Sequence, residues 1–286
     1  MKPLTFTKHR QNCLVSLAQF FYLTREQMIE LGITTALPNL QRRVLEPLLE
    51  HRFIVKARIK DEDSHFEAYH PTRHIYGLSK AGADWVSHTL AIPPENVYCP
   101  PARPKFTKDA IHRSHTISFL IKLRQYCSET QRKTGFVYPY FQNGNSQKGT
   151  FHAITRHHFP ESFHYTEADL EFDLKTPDNH HLFVFEYHRG NRPKRIMRQL
   201  DFHSKSLELG VVTQHYGFHK HPTVLSLYEK EPTMFTVMDR INDEPSFNKT
   251  RPLFLFNTYE KIKADFNTPW LQTDRTPISP FPLLKP

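Results

Sequence analysis

Apolar residues recur at helical spacing through the first ninety residues and predict a run of short helices. Residues 9–21 form an amphipathic pattern whose leucine and phenylalanine positions share one face. Thr24 and Gln27 have the spacing of a capping box, which predicts that a second helix begins directly after Thr24 and that Gly32 ends it. A third helix is expected over residues 38–51, with a proline in its first turn.

Two alternating segments follow the third helix and predict a β-hairpin. RFIVKARI (52–59) and AYHPTRHIYGLS (68–79) lie on either side of the acidic turn DEDS. Ser79 then caps a last helix, KAGADWVSHTL. Helices followed by a hairpin are typical of a winged helix-turn-helix, which we predict for residues 1–92. Another small helical module and a protein-binding version of this fold are the alternatives.

The third predicted helix carries side chains suited to DNA. Its early polar positions are of types that contact base edges and phosphates in a major groove: Asn39, Gln41, Arg42 and Arg43. The turn of the hairpin opposes such a role, because Asp61, Glu62 and Asp63 repel phosphate. Either this turn points away from DNA, or the domain mainly contacts protein.

A proline-rich stretch separates the two halves of the chain. Residues 91–106 contain five prolines and predict a stiff linker, placed at residues 93–106. A helix over residues 107–131 is expected to open a second domain, 107–273. The proline-rich tail, 274–286, is predicted to lack regular structure.

The segment between Gly135 and Phe163 is rich in Gly, Asn and Ser and predicts a loop. It contains aromatic and basic residues: Tyr138, Tyr140, Phe141, Lys148 and Arg156. This mixture suits stacking on unpaired bases. A surface loop with no such role is the alternative.

Strands alternate with helices in the second half and predict a partly parallel α/β sheet. The strand candidates are ADLEFDL, HLFVFEY, TVLSLY and LFLFNT. Asp169 lies in the first of them and Glu186 near the exit of the second, with the turn residues Pro177, Asp178 and Asn179 between them. The expected fold class is therefore mixed α/β, of the α+β kind.

These two acids are candidate metal ligands. Neighbouring strands would bring their carboxylates together, and Mg²⁺ takes oxygen ligands and needs only one or two carboxylates. Glu171 and Asp173 alternate with Asp169 and are expected on the same face of the strand. A predicted basic helix follows Glu186 at once and offers phosphate contacts: Arg189, Arg192, Lys194, Arg195 and Arg198. Metal ligands beside a phosphate-binding helix outline a nuclease site.

The charge of the chain supports an anionic partner. The net charge is +9, and the pI is about 9.4. Residues 101–160 carry 10 Lys and Arg against 2 acids, whereas the flanking regions are close to neutral. A basic surface without a partner is the alternative. A mean hydropathy of -0.59 and the lack of a long apolar run argue against a membrane span, and we expect a cytoplasmic protein.

Other chemistries find little support. The 3 cysteines are widely spaced and form neither a disulfide framework nor a CxxC zinc pair. The 19 histidines include no HExxH motif, so scattered surface and site histidines are favoured over a zinc site built from distant ones. With 9 glycines and no glycine-rich phosphate loop, a Walker-type nucleotide site is not expected.

The segment from residue 165 to residue 203 resembles the plasmid replication-relaxation proteins, which include the MobC-type conjugative relaxases. Ala168 and Asp169 are similar to the family's "PD" strand motif, and EYHRGN (186–191) is similar to its "EvDRGT" motif. Gln199 and His203 fall where the family's helix carries Lys and Tyr. LFLFNTYEKIKADFNTPWLQTD is similar to its last strand, helix and closing Trp segment. Together with the winged helix, the resemblance covers most of the chain.

The resemblance implies a restriction-endonuclease-like, PD-(D/E)xK second domain. It further implies a relaxase-like nickase that acts on double-stranded DNA at an origin, meets single-stranded DNA after nicking, and works with other mobilisation or replication proteins. Asp169 and Glu186 would bind Mg²⁺ or Mn²⁺. The implied catalytic positions are Asp169, Glu186, His188 and Gln199.

Two positions depart from the family pattern. Ala168 replaces Pro, and His188 replaces the usual acid or Lys two residues after Glu186. His188 has several candidate roles, namely metal ligation, proton relay, phosphate contact, or simple packing or hydrogen bonding. A tyrosine nucleophile is not assignable. The departures support an alternative from another class: a non-catalytic DNA-binding regulator of replication or transcription with a degenerate nuclease fold.

Overall fold

The structure, a computed structural model, describes residues 4–58, 74–99, 110–142, 153–160, 162–175 and 179–281. The chain forms two compact units, unit 1 over Met1–Ile121 and unit 2 over Lys122–Pro286. Both units combine helices with β-sheet, so the fold is mixed α/β with the α+β character predicted from the sequence.

Unit 1 places short helices beside a small antiparallel sheet. Its described elements are α1 Lys8–Phe20, β1 Leu23–Thr24, α2 Arg25–Glu30, α3 Leu37–Asn39, the π-helical segment Leu40–Leu45, α4 Glu46–Glu50, β2 Ile54–Arg58, β3 His74–Leu78, α5 Lys80–Leu90 and the 3-10 turn Pro94–Asn96. The sheet order is β1-β3-β2. Helix α6, Ala110–Glu129, contains the boundary between the units.

The predicted capping box at the start of α2 is present. Thr24 Oγ1 accepts the backbone N–H of Gln27 at 3.3 Å, and the Thr24 backbone N–H donates to Gln27 Oε1 at 2.9 Å. Gly32 follows the helix with a φ of 69°, a left-handed conformation that glycine adopts easily. The predicted start and end of this helix are thus confirmed.

The third predicted helix is present over residues 37–50 but is not uniform. α3 and α4 flank the π-helical segment. Pro47 has no N–H to donate to the carbonyl of Arg43, four residues earlier, so an α-helical hydrogen bond is missing at this point. The Arg43 carbonyl accepts a hydrogen bond from Arg10 Nε at 2.9 Å. Pro47 therefore accounts for the missing hydrogen bond directly after the π-helical segment.

The predicted hairpin strands pair as expected. β2 and β3 are antiparallel, from Ile54 opposite Leu78 to Arg58 opposite His74. The acidic turn with Asp61, Glu62 and Asp63 lies outside the described residues, as do Lys148 of the aromatic segment and Pro177 and Asp178 of the turn before Glu186.

Unit 2 is built on a larger sheet. Its remaining described elements are β4 Val137–Pro139, β5 Arg156–His158, β6 Tyr165–Glu167, β7 Leu170–Lys175, β8 His180–His188, α7 Pro193–Leu209, α8 Val211–His215, β9 Thr223–Tyr228, α9 Glu231–Asp243, the 3-10 turns Pro245–Phe247 and Arg251–Leu253, β10 Phe254–Thr258, α10 Tyr259–Ala264, β11 Trp270–Leu271 and β12 Pro277–Ile278.

The strand order of the main sheet is β12-β11-β10-β9-β8-β7-β4, and β5 and β6 form a separate two-stranded hairpin. β8, β9 and β10 are parallel neighbours, and the other described pairs are antiparallel. The helices α7 and α9 provide the crossovers that parallel neighbours require. The predicted partly parallel sheet is therefore confirmed.

One face of this sheet is covered by α7 and α9. Val184 of β8 packs in a fully buried cluster with Ile196 and Leu200 of α7 and Val237 of α9. Side chains alternate along a strand, so Glu186, two residues after Val184, points to the same face. The basic helix predicted after Glu186 thus lies over the face that carries the candidate acids.

Two expectations are wrong. The segment 135–163, predicted to be a loop, contains β4 and β5, and the tail, predicted to lack regular structure, contains β12. These strands are two or three residues long, too short for an alternating pattern to reveal them. Pro277 is tolerated because β12 lies at the edge of the sheet.

Candidate functional site

Asp169 and Glu186 are neighbours across two antiparallel strands. Leu170 of β7 pairs with Phe185 of β8, which places Asp169, one residue before β7, opposite Glu186. Asp169 Oδ2 accepts the backbone N–H of Tyr187 at 2.7 Å. Residues in such facing positions have Cβ atoms about 5 Å apart. The two acids chosen from the sequence therefore meet at one point of the sheet.

Glu186 is held by a buried hydrogen-bond chain. Its side chain is 2% exposed, and Oε1 accepts from His203 Nε2 of α7 at 2.7 Å. His203 Nδ1 lies 2.9 Å from Thr166 Oγ1 of β6. Burial lowers the pKa of His203 to about 4, although Glu171 and Asp169 act in the opposite direction. The ring is therefore neutral near pH 7, with Nε2–H donating to Glu186 and Nδ1 accepting from Thr166.

Glu171, on the same face of β7, has different partners. Its carboxylate is fully buried and accepts from His157 Nε2 of β5 at 2.9 Å and from the Tyr216 hydroxyl at 2.6 Å. Burial, and then the charge of Glu171, raises the pKa of Tyr216. The hydroxyl therefore stays protonated and serves as a donor.

Asp173, the third acid of this strand, closes a turn. Its carboxylate accepts the backbone N–H groups of Gly135 and, at 2.7 Å, Phe136, and it also contacts His180 Nε2. These contacts fix the chain at the start of β4. The register of β7 places Asp169, Glu171 and Asp173 on one face, as predicted. Glu171 and Asp173 are both buried, so neither faces solvent.

His188 lies two residues after Glu186, on the same face of β8. It is 3% exposed, and its Nε2 lies 2.9 Å from Ser226 Oγ of β9. Ser226 in turn donates to the Tyr228 hydroxyl at 3.0 Å. Of the roles considered for His188, this contact favours a hydrogen-bonding role inside the sheet.

The cations predicted to bind phosphate surround the start of α7. Gly190 turns the chain there with a φ of 77°, and its N–H donates to Glu229 at 2.8 Å. The exposed cations are Arg192, Lys194, Arg195 and Arg198, and Arg189 is half-buried. Gln199, a predicted catalytic position, is half-buried on the same helix. The helix thus presents a basic surface close in sequence to Glu186.

The predicted DNA-contacting residues of unit 1 lie mostly on its surface. Asn39, Arg42 and Arg43 are exposed, and Gln41 is half-buried and donates to Glu46 Oε1 at 3.1 Å. They occupy the last residue of α3 and the π-helical segment. Solvent exposure makes these side chains accessible to a partner.

Sequence reasoning missed His157, Thr166 and Tyr216. His157 and Tyr216 hydrogen-bond to Glu171. Thr166 contacts His203, the partner of Glu186. The only sequence signal for His157 was its place in a histidine pair, HHF. The sequence resemblance placed His203 at a helix position of the family but did not assign it the contact with Glu186. All four residues come from elements that approach β7 and β8 only in the folded chain.

The candidate site contains two facing carboxylates, those of Asp169 and Glu186. Among the described residues, no group of three or more His, Cys, Asp and Glu side chains is arranged to hold a metal ion. A pair such as Asp169 and Glu186 still matches the chemistry of Mg²⁺, which keeps several waters and takes substrate phosphate oxygens as further ligands.

No protein-family model, curated protein or solved structure matches this chain significantly. Within the part of the chain that the structure describes, no helix is both long enough and apolar enough to cross a membrane.

Proposed function

We propose that this chain is a DNA-binding protein of plasmid mobilisation or replication that nicks DNA at an origin with Mg²⁺ or Mn²⁺. The observation that carries the proposal is the meeting of Asp169 and Glu186 across β7 and β8, directly before the basic start of α7. Carboxylates that would hold a cation are thus close in sequence to guanidinium groups that would contact phosphates.

The order of elements in unit 2 supports a restriction-endonuclease-like interpretation. β4, β7 and β8 form an antiparallel meander, α7 follows, and β9 returns parallel to β8. This order provides what the resemblance requires: an acid beside one strand, a second acid near the exit of the next, and then a basic helix. The interpretation rests on this order and on the site.

Unit 1 fits the role of locating DNA. The antiparallel strands β2 and β3 follow the helical stretch 37–50, which carries exposed Asn39, Arg42 and Arg43. In a winged helix-turn-helix such a helix enters the major groove. Gln41, partly engaged with Glu46, would adjust at the groove.

The chemistry divides between the acids and the cations. A bound Mg²⁺ or Mn²⁺ would polarise the scissile phosphate and lower the pKa of an attacking water. Asp169 and Glu186 would provide the protein ligands, and His203 keeps Glu186 in place through its hydrogen bond. Arg189, Arg192 and the other α7 cations would neutralise the flanking phosphates.

A second candidate function is a non-catalytic DNA-binding regulator. The burial of Glu186 and its hydrogen bond to His203 favour it, because a carboxylate held in this way also suits a structural role. The replacements Ala168 and His188 point the same way. In this case the basic surfaces would bind DNA, and the acids would only stabilise the fold.

Nicking of supercoiled plasmid that carries the native neighbouring DNA separates the two functions. The nickase proposal expects relaxed plasmid with Mg²⁺ or Mn²⁺ and none in EDTA. Asp169→Asn and Glu186→Gln should each abolish nicking and leave DNA affinity nearly unchanged. Glu208→Gln, an exposed acid at the other end of α7, is the matched control and should nick normally. DNA binding without nicking by the wild type would favour the regulator.

A further inference from the structure

The hairpin of β5 and β6 has an inner face that supports the candidate site. His157 and Thr166 pair across the hairpin, and both side chains are buried. His157 contacts Glu171, and Thr166 contacts His203, which donates to Glu186. The position of the hairpin is therefore coupled to the hydrogen bonds of the acids.

The outer face and tip of the same hairpin carry exposed aromatic rings. Phe163 at the tip is 100% exposed, and Tyr165 is 39% exposed. The Arg156 guanidinium lies 4.2 Å from the centre of the Tyr165 ring, and the exposed His158 packs against that ring from the pairing strand. Covering such an exposed phenylalanine with a partner lowers the free energy, because apolar surface is removed from water.

The surroundings of the tip are cationic as well as aromatic. Phe159 and His164, on either side of the tip, lie 6.2 and 5.9 Å from the ring of Phe202 on α7, measured between ring centres. Lys205 lies over that ring, although it also pairs with Asp201. The exposed cations of α7 continue from there toward its start: Arg198, Arg195 and Lys194. Rings next to a row of cations complement single-stranded DNA, which presents bases and phosphates together.

We infer that the β5–β6 hairpin is a platform for single-stranded DNA, on which an unpaired base stacks against Phe163. The inference rests on the proposed DNA nicking and adds the place where the separated strand is held. Phe163 precedes Thr166 by three residues, so a short stretch of chain joins the stacking position to the hydrogen bonds of His203 and Glu186.

Fluorescence anisotropy with a short single-stranded oligonucleotide tests the platform, and a 2-aminopurine base in it reports stacking. Stacking on one aromatic side chain contributes enough that Phe163→Ala should weaken single-strand affinity by roughly tenfold and relieve the quenching of 2-aminopurine. Phe163→Tyr keeps the ring and should bind like the wild type. The salt dependence of affinity should be the same in all of them, since the phosphate contacts are untouched.

Leu209→Ala removes another exposed apolar side chain of unit 2 and is the matched control, with no expected change in single-strand affinity.

If Phe163→Ala binds single-stranded DNA as tightly as the wild type does, the platform is overturned, even if the wild type nicks plasmid. Loss of self-association instead of DNA affinity in that variant also overturns it and assigns the ring to a protein contact. A wild type that binds single strands through Phe163 but never nicks refutes the nickase alone. A wild type that binds no DNA refutes both.

Discussion

Replacing His203 with Leu is expected to destabilise unit 2, because Glu186 loses the N–H that His203 donates at 2.7 Å. The Glu186 side chain is 2% exposed, so water does not readily replace that donor. A hydrogen bond to a charged group contributes about 2 kcal/mol to the free energy of unfolding. For a unit of this size each kcal/mol corresponds to roughly 2–4 °C in Tm, so Tm should fall by roughly 4–8 °C.

Calorimetry in EDTA measures this loss. His203→Gln is the matched variant, since its amide still offers an N–H to Glu186 without a titrating ring, and it should lose less than half as much. A wild-type Tm in His203→Leu would refute the assigned contact. Equal losses in the two variants would show that packing, and not the donated hydrogen bond, sets the stability.

Three further outcomes concern DNA binding and thiol reactivity. DNA affinity should fall steeply with added salt, since residues 101–160 carry 10 Lys and Arg against 2 acids; an affinity unchanged from low to moderate salt would exclude DNA as the main partner. The double variant Arg42→Ala and Arg43→Ala should lose more affinity for the cognate DNA site than for random DNA. Equal loss of affinity for both DNAs would limit these residues to phosphate contacts. Burial raises the pKa of Cys13 to about 12, so mass spectrometry after alkylation near pH 8 should find exposed Cys99 labelled in the folded protein and Cys13 only after unfolding. Labelling of both at equal rates would contradict the core assigned to unit 1.

The pairing of Asp169 with Glu186 was predictable from local pattern. Alternation marked the first strand, a continuous apolar run marked the second, and Asn179 with its neighbours marked the turn between them. A turn that joins successive strands makes them antiparallel neighbours, so residues at matching distances from the turn meet. The sheet face followed from the same alternation.

The partners of the acids were not predictable in this way. Thr166 contacts a residue 37 positions away, and Tyr216 contacts one 45 positions away. Such contacts depend on how α7 and the β5–β6 hairpin pack on the sheet. β5 and β6 are three residues long each, so no periodic pattern identifies them. The role of His157 was hidden for the same reason.

Mn²⁺ binding to this chain tests the central claim most directly. Calorimetric titration without DNA should show a Mn²⁺ site in the wild type that is lost in Asp169→Asn and in Glu186→Gln and kept in Glu208→Gln. Hard cations bind through carboxylate charge, which the first two changes remove with little change of shape. A wild type that binds no Mn²⁺, or an affinity that both site variants retain, would contradict the assignment of a metal-dependent site.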